Sequence, residues 1–184
     1  MDERQRLLEI LKGRSYEERE VVLSSGRRSN FYIDGKQTTL DPEGAYLVGK
    51  LLWRRIDEGQ KGVEAVGGPT LGADPMVTAV AVVSFLEGKP LPAFIIRKEP
   101  KGHGKGLWIE GDKALRPGMK VALVEDVVTT GASLLKAIRV AEEHGLQVVQ
   151  VLALVDREEG GRENLKAAGY DLEALFTRRE LTGG

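Results

Sequence analysis

The chain has 184 residues, 41% of them hydrophobic, and 27 basic against 28 acidic side chains, for a formal net charge of -1. That length suits a single domain over residues 1–184 burying roughly 70% of its unfolded-chain surface, and the balanced charge gives no overall field toward nucleic acid or a membrane. Without cysteine there is no disulfide, thiolate metal site or cysteine nucleophile, and two histidines, His103 and His144, are too few for a histidine zinc site.

The opening Met-Asp-Glu-Arg-Gln-Arg is not a signal peptide, and no apolar run approaches the ~18 residues of a membrane span, so a cytoplasmic protein is expected. Residues 3 to 12 read as a helix with a stripe of Leu7, Leu8, Ile10 and Leu11. A short strand at Val21–Leu23 leads to a turn rich in Ser, Gly, Asn and Arg, then to Phe31, Tyr32 and Asp34-Gly35-Lys36. By composition this is a hairpin; its cations and aromatics also suit a lid over a planar anion.

Asp41-Pro42-Glu43 signals a helix start, with Asp as the cap and Pro at the first helical position, and the helix is expected to run to about Gly59. Val63–Val66 is a buried strand, expected to end in a turn at Gly67-Gly68 ahead of an apolar helix from about Met76 to Leu86. A glycine-rich strand-to-helix turn brings backbone amides against phosphate oxygens. It is not a Walker A loop, because Ala73-Asp74 stands where Lys and Ser or Thr are required.

A third strand, Ala93–Ile96, is followed by Arg97-Lys98-Glu99-Pro100-Lys101-Gly102-His103-Gly104-Lys105-Gly106. So many charges, glycines and a proline are expected to form a mobile loop. A basic turn is one account of it. A lid closing over a polyanion at the carboxyl end of a strand is the favoured one.

The stretch Val121 to Ser133 organises the rest. An apolar strand to Val124 is followed by Glu125 and Asp126, then Val127, Val128, Thr129, Thr130, Gly131, Ala132 and Ser133, and then an amphipathic helix ending at His144-Gly145. Small residues leading into a helix N-terminus present amides and hydroxyls to a phosphate monoester, while two carboxylates accept hydrogen bonds from the hydroxyls of an attached sugar. A capped turn with solvated acids is the plain alternative. A further strand, Val148–Val155, ends in Asp156-Arg157, where the arginine either pairs with Glu158 or Glu159 or captures a substrate carboxylate. A helix at 162–168, a strand at Leu172–Phe176 and a short helix close the chain. If the strands form one parallel sheet, their loops share one edge and one cleft, whose polar groups suit a ribose with phosphate at one end and diphosphate at the other.

The Val121–Ser133 stretch resembles the phosphoribosyl-diphosphate signature of the type I phosphoribosyltransferases, with Glu125 where Asp is commoner. Ser25-Gly26-Arg27, the Phe31-Tyr32 aromatics, Arg-Lys-x-x-Lys-x-His-Gly at 97 to 104 and Asp156-Arg157 extend the likeness to the orotate phosphoribosyltransferases. The resemblance implies an α/β fold with a central, mostly parallel sheet flanked by helices, a small N-terminal hood from about residues 1–40 and the C-terminal end, and a flexible catalytic loop. It implies transfer of ribose 5-phosphate from phosphoribosyl diphosphate to orotate, with Mg²⁺ held mainly by the diphosphate substrate and not directly by the protein.

On that basis Arg97, Lys98, Lys101 and His103 meet diphosphate. Glu125, Asp126 and residues 127–133 hold the ribose phosphate, and Thr129, Arg157, Phe31 and Tyr32 meet orotate. Lys98, Lys101, His103 and Asp126 are the implied catalytic residues. A homodimer with the loop acting in trans is implied, without a nucleic-acid or membrane partner. Ser24 stands where many relatives carry Lys, which turns attention to Arg27 or Lys36 for the missing cation. A purine or xanthine phosphoribosyltransferase and a non-catalytic regulator are the alternatives.

Overall fold

The computed structural model describes residues 2–22, 28–101 and 107–183. In chain order the elements are α1 (Glu3–Arg14), β1 (Tyr16–Val22), β2 (Arg28–Ile33), α2 (Lys36–Thr39), α3 (Pro42–Glu58), β3 (Ala65–Pro69), α4 (Asp74–Leu86), β4 (Ala93–Lys101), β5 (Leu107–Glu110), β6 (Lys120–Val128), α5 (Ala132–Glu143), β7 (Gln147–Asp156), α6 (Gly161–Ala167), β8 (Leu172–Thr177) and α7 (Arg178–Thr182). A six-stranded sheet has the order β5-β4-β3-β6-β7-β8, all parallel except the antiparallel edge strand β5; β1 and β2 form a separate antiparallel pair.

Period-two alternation in the strands decides the layering. Ala122, Val124, Leu152 and Leu154 pack into a core with α1, α3 and α4, while Val121, Leu123, Val151 and Ala153 pack into a second core with α5. The sheet is therefore covered on both faces, and the carboxyl ends of five parallel strands open on a single edge. The cap expected at Asp41 is formed: its carboxylate accepts from the Gly44 amide at 2.9 Å, with Pro42 at the helix start.

Three strands run further than their composition suggests. β6 continues to Val128, so Glu125 and Asp126 lie inside the strand and not after it. β3 includes Gly67, Gly68 and Pro69, and the turn falls at Thr70–Ala73. β4 continues past Ile96 to Lys101, where a mobile loop was expected. It is held because β5 supplies ladder partners out to Lys101↔Leu107 and because Glu110 pairs with Arg97 at 2.8 Å across the hairpin. The remainder of that loop, Gly102–Gly106 with His103, lies outside the described residues, as do Ser24, Ser25, Gly26 and Arg27.

Candidate active site

At the carboxyl end of β6, alternation along the strand sends its two acids to different surroundings. Glu125 is 8% exposed and lines a small cavity of about 100 Å³ together with Val127 to Leu134. Asp126 is wedged between Gly35, just ahead of α2, and Gly72 in the turn before α4. A Cβ at Gly35 would sit 2.9 Å from Asp126 Cβ, and one at Gly72 would sit 2.5 Å from its Cγ and closer still to Oδ1. Glycine at both places lets three separate segments close on one carboxylate.

Burial, followed by the Asp126 charge, raises the Glu125 carboxyl well above the ordinary carboxylate range. Burial also raises Asp126, opposed by its hydrogen bond from the Val127 amide and by the Lys36 ammonium. Carboxylates of raised basicity are strong acceptors for hydroxyl donors, which suits the two acids to vicinal ribose hydroxyls.

The loop that follows is shaped by Gly131, at φ 78°, which precedes α5 in the left-handed region that favours glycine. No side chain at that position caps the helix. The plain alternative, in which Thr or Ser capped this end, therefore does not hold at Gly131, and the first-turn amides of α5 face the small cavity without an acceptor inside the helix. From behind, the loop is braced by Asn164 of α6, whose amide donates to the Thr130 carbonyl at 2.9 Å.

Beside it lies a second cavity of about 280 Å³, lined by Thr70, Arg97, Lys98, Ser133 and Lys136 among others. Ser133 lines both cavities, which adjoin at the start of α5. Lys136 escaped sequence reading because it lies on the first turns of an ordinary amphipathic helix. Its ammonium donates to the Lys98 carbonyl at 2.8 Å and stands 5.1 Å from the Trp108 ring, tying the β4–β5 arm to α5. Lys98 and Lys101 are exposed on that arm.

On the other flank, Arg157 follows β7 directly and is 7% exposed. It donates to Glu159 and to the Phe31 carbonyl, and its guanidinium lies over the buried Phe31 ring at 5.2 Å. Thr129 is half-buried at the end of β6. Tyr32 is covered by the Arg19 guanidinium at 4.0 Å. Lys36 pairs with Asp34 at 2.6 Å and adds its charge to Asp126, so it serves the acid pair and not the Arg157 flank. The structure thus brings Glu125, Asp126, the 127–133 loop, Arg97, Lys98 and Arg157 to one edge of the sheet.

A doubly wound sheet with an acid pair, a phosphate-sized amide cradle and a neighbouring basic cavity at its carboxyl edge defines a phosphoribosyltransferase site. The family model described as "Phosphoribosyl transferase domain" matches residues 36–169. Within that class the chain belongs to the orotate phosphoribosyltransferases. It is 50% identical over 184 residues to the orotate phosphoribosyltransferase of Aquifex aeolicus (strain VF5), covering 98% of both chains. Its fold matches the crystal structure of Mycobacterium tuberculosis H37Rv orotate phosphoribosyltransferase in complex with Fe(III) dicitrate, at a TM-score of 0.84 and 36% identity over 98% of this chain and 99% of that one. The complex of that enzyme with 5-phospho-alpha-D-ribosyl 1-diphosphate matches at a TM-score of 0.80 and 34% identity, over 98% and 99% of the two chains.

Proposed function

We propose that this chain transfers the ribose 5-phosphate of phosphoribosyl diphosphate to orotate, giving orotidine 5-phosphate and pyrophosphate in pyrimidine nucleotide synthesis. The observation that carries this reading is that a buried guanidinium, Arg157, and the loop Thr129–Ser133 both stand at the strand ends beside one acid pair. The cradle holds the 5-phosphate, Glu125 and Asp126 take the ribose hydroxyls, and Arg157 with Thr129 and the Phe31-Tyr32 segment takes the carboxylate-bearing base. As the anomeric bond to diphosphate breaks, negative charge grows on the leaving oxygens. Arg97, Lys98, Lys101 and His103 meet that charge, while the adjacent carboxylates favour the cationic ribosyl centre.

Mg²⁺ belongs to the same proposal. The hard oxygen donors of the acid pair suit it, and no trio of His, Cys, Asp or Glu that could hold a metal occurs among the described residues. In this reading its coordination falls mainly to diphosphate and ribose oxygens and to water, with Glu125 and Asp126 acting through the ribose hydroxyls. When bound it neutralises part of the diphosphate charge.

No helix among the described residues is long and apolar enough to cross a membrane, and a cytoplasmic setting is part of the reading. So is a homodimer in which Lys98, Lys101 and His103 reach the partner's site. A groove of about 570 Å³ beside the cleft is lined by Leu40, Leu71 and Thr78, and α4 continues from Thr78 with exposed Val82, Phe85 and Leu86 on the same side. A second copy seated there covers the apolar face.

The test follows the ultraviolet absorbance of orotate in the presence of phosphoribosyl diphosphate and Mg²⁺. Loss of orotate with release of pyrophosphate is expected. Turnover of a purine base with orotate untouched overturns the proposal.

A further inference from the structure

The register pairing Asp156 with Thr177 makes Arg157 and Arg178 neighbours, each the first residue beyond its strand at the carboxyl edge of the sheet. Their guanidinium carbons lie 5.2 and 5.1 Å from the centroid of the same Phe31 ring. Both face one carboxylate oxygen, Glu159 Oε1, at 2.9 Å from Arg157 Nη2 and 3.7 Å from Arg178 Nη1. Arg179 is engaged elsewhere: it pairs with Glu158 at 3.0 Å and its side chain is 80% exposed.

Among the described residues the two guanidiniums share one carboxylate, the Arg157–Glu159 pair sheltered from water and Arg178 more open to it. The Arg157 and Glu159 side chains are 9% and 13% exposed, against 39% for Arg178. An arriving carboxylate gives the second, loosely tied guanidinium an anionic partner of its own beside a pair that burial shields from water. Guanidinium forks match a planar carboxylate in two parallel hydrogen bonds, and the aromatic face beneath them restrains their planes. Arg157 is the fixed member, held from below by the Phe31 carbonyl. Arg178, more exposed and more loosely tied to Glu159, is free to turn toward a ligand.

We propose that Arg178 is a second specificity-determining residue of the acceptor site: with Arg157 it binds the carboxylate of the pyrimidine base, exchanging its contact with Glu159 for one with substrate. This inference rests on the reading that orotate is the acceptor. It assigns to the C-terminal segment a substrate contact in place of a purely structural end.

The experiment compares the full chain with its Arg178→Gln, Arg178→Lys and Arg179→Gln variants, measuring KM for orotate, KM for phosphoribosyl diphosphate, kcat and melting temperature. Arg178→Gln is expected to raise KM for orotate by about 10- to 100-fold, the range for a hydrogen bond to a charged group, with KM for phosphoribosyl diphosphate unchanged. Arg178→Lys keeps the charge without the fork and falls between, and Arg179→Gln behaves as wild type. Orotate KM unaltered in Arg178→Gln overturns the inference. So does a parallel rise in both KM values with a lowered melting temperature, which marks a merely structural residue. Absence of orotate turnover by the wild-type chain refutes the underlying reading instead.

Discussion

Gly72→Ala tests how the site is assembled, because the glycine is needed for space and not for an unusual backbone angle. Gly72 is absent from the positive-φ glycines, so alanine is conformationally acceptable there. Its Cβ, however, would lie 2.5 Å from Asp126 Cγ and closer to Oδ1, where ordinary contact needs 3.4–4 Å. Asp126 cannot retreat freely, since a Cβ at Gly35 on its other side would already be 2.9 Å from Asp126 Cβ. The segments around Asp126 must shift by about an ångström, and overpacking of that kind costs about 1–3 kcal/mol. The expected result is a fall in melting temperature of roughly 2–12 °C for a chain of this size, together with a raised KM for phosphoribosyl diphosphate.

Because the overlapped atoms all belong to the Asp126 carboxyl group, Asp126→Ala removes them. Introducing Gly72→Ala into that background is therefore expected to cost less than about 0.5 kcal/mol, the size expected for uncoupled sites. Denaturant titration of wild type, both single variants and the double variant completes the cycle. If Gly72→Ala is equally costly with and without the aspartate side chain, the wedge between Gly35 and Gly72 is not what constrains this site.

Glu125→Gln separates stability from function. A carboxyl whose folded pKa stands above its ordinary 4.5 loses stability as pH rises from that value through the folded pKa, because the folded state binds the proton more tightly than the unfolded chain. The glutamine variant does not titrate, so it should melt above wild type at neutral pH, with the gap closing toward pH 4.5, while KM for phosphoribosyl diphosphate rises. A variant that melts lower than wild type across the neutral range contradicts the assigned burial penalty. Lys101→Ala should cut turnover by about 10²-fold or more, the scale of one electrostatic contribution to a transition state, with orotate KM little changed. A loss confined to substrate affinity removes Lys101 from the chemical step.

What could be read along the chain was what local order dictates. Strand, acid pair, small loop and helix follow one another within Val121–Glu143, so the loop and its two acids could be singled out as a candidate site before any folding was considered. The Asp41-Pro42 helix start and the His144-Gly145 helix end belong with them, since capping depends on neighbours one turn away. The charged run after Ile96 misled for a physical reason: composition alone forbids a helix or a buried strand there, but it cannot reveal that β5 returns as a ladder partner, with Glu110 opposite Ile95 and ion-paired to Arg97.

Only tertiary structure decided which distant residues share the cleft. Asp126 faces Gly35 and Gly72 because the turns ahead of α2 and of α4, far from β6 in the chain, meet at its carboxyl end. Lys136 joins the basic cavity because α5 lies against the β4–β5 arm. Arg178 stands beside Arg157 because parallel pairing of β7 with β8 ends both strands at the same level. Spacing along the chain carries no trace of these contacts, since register between parallel strands is set by which faces bury against the two helical layers, a property of the whole sheet.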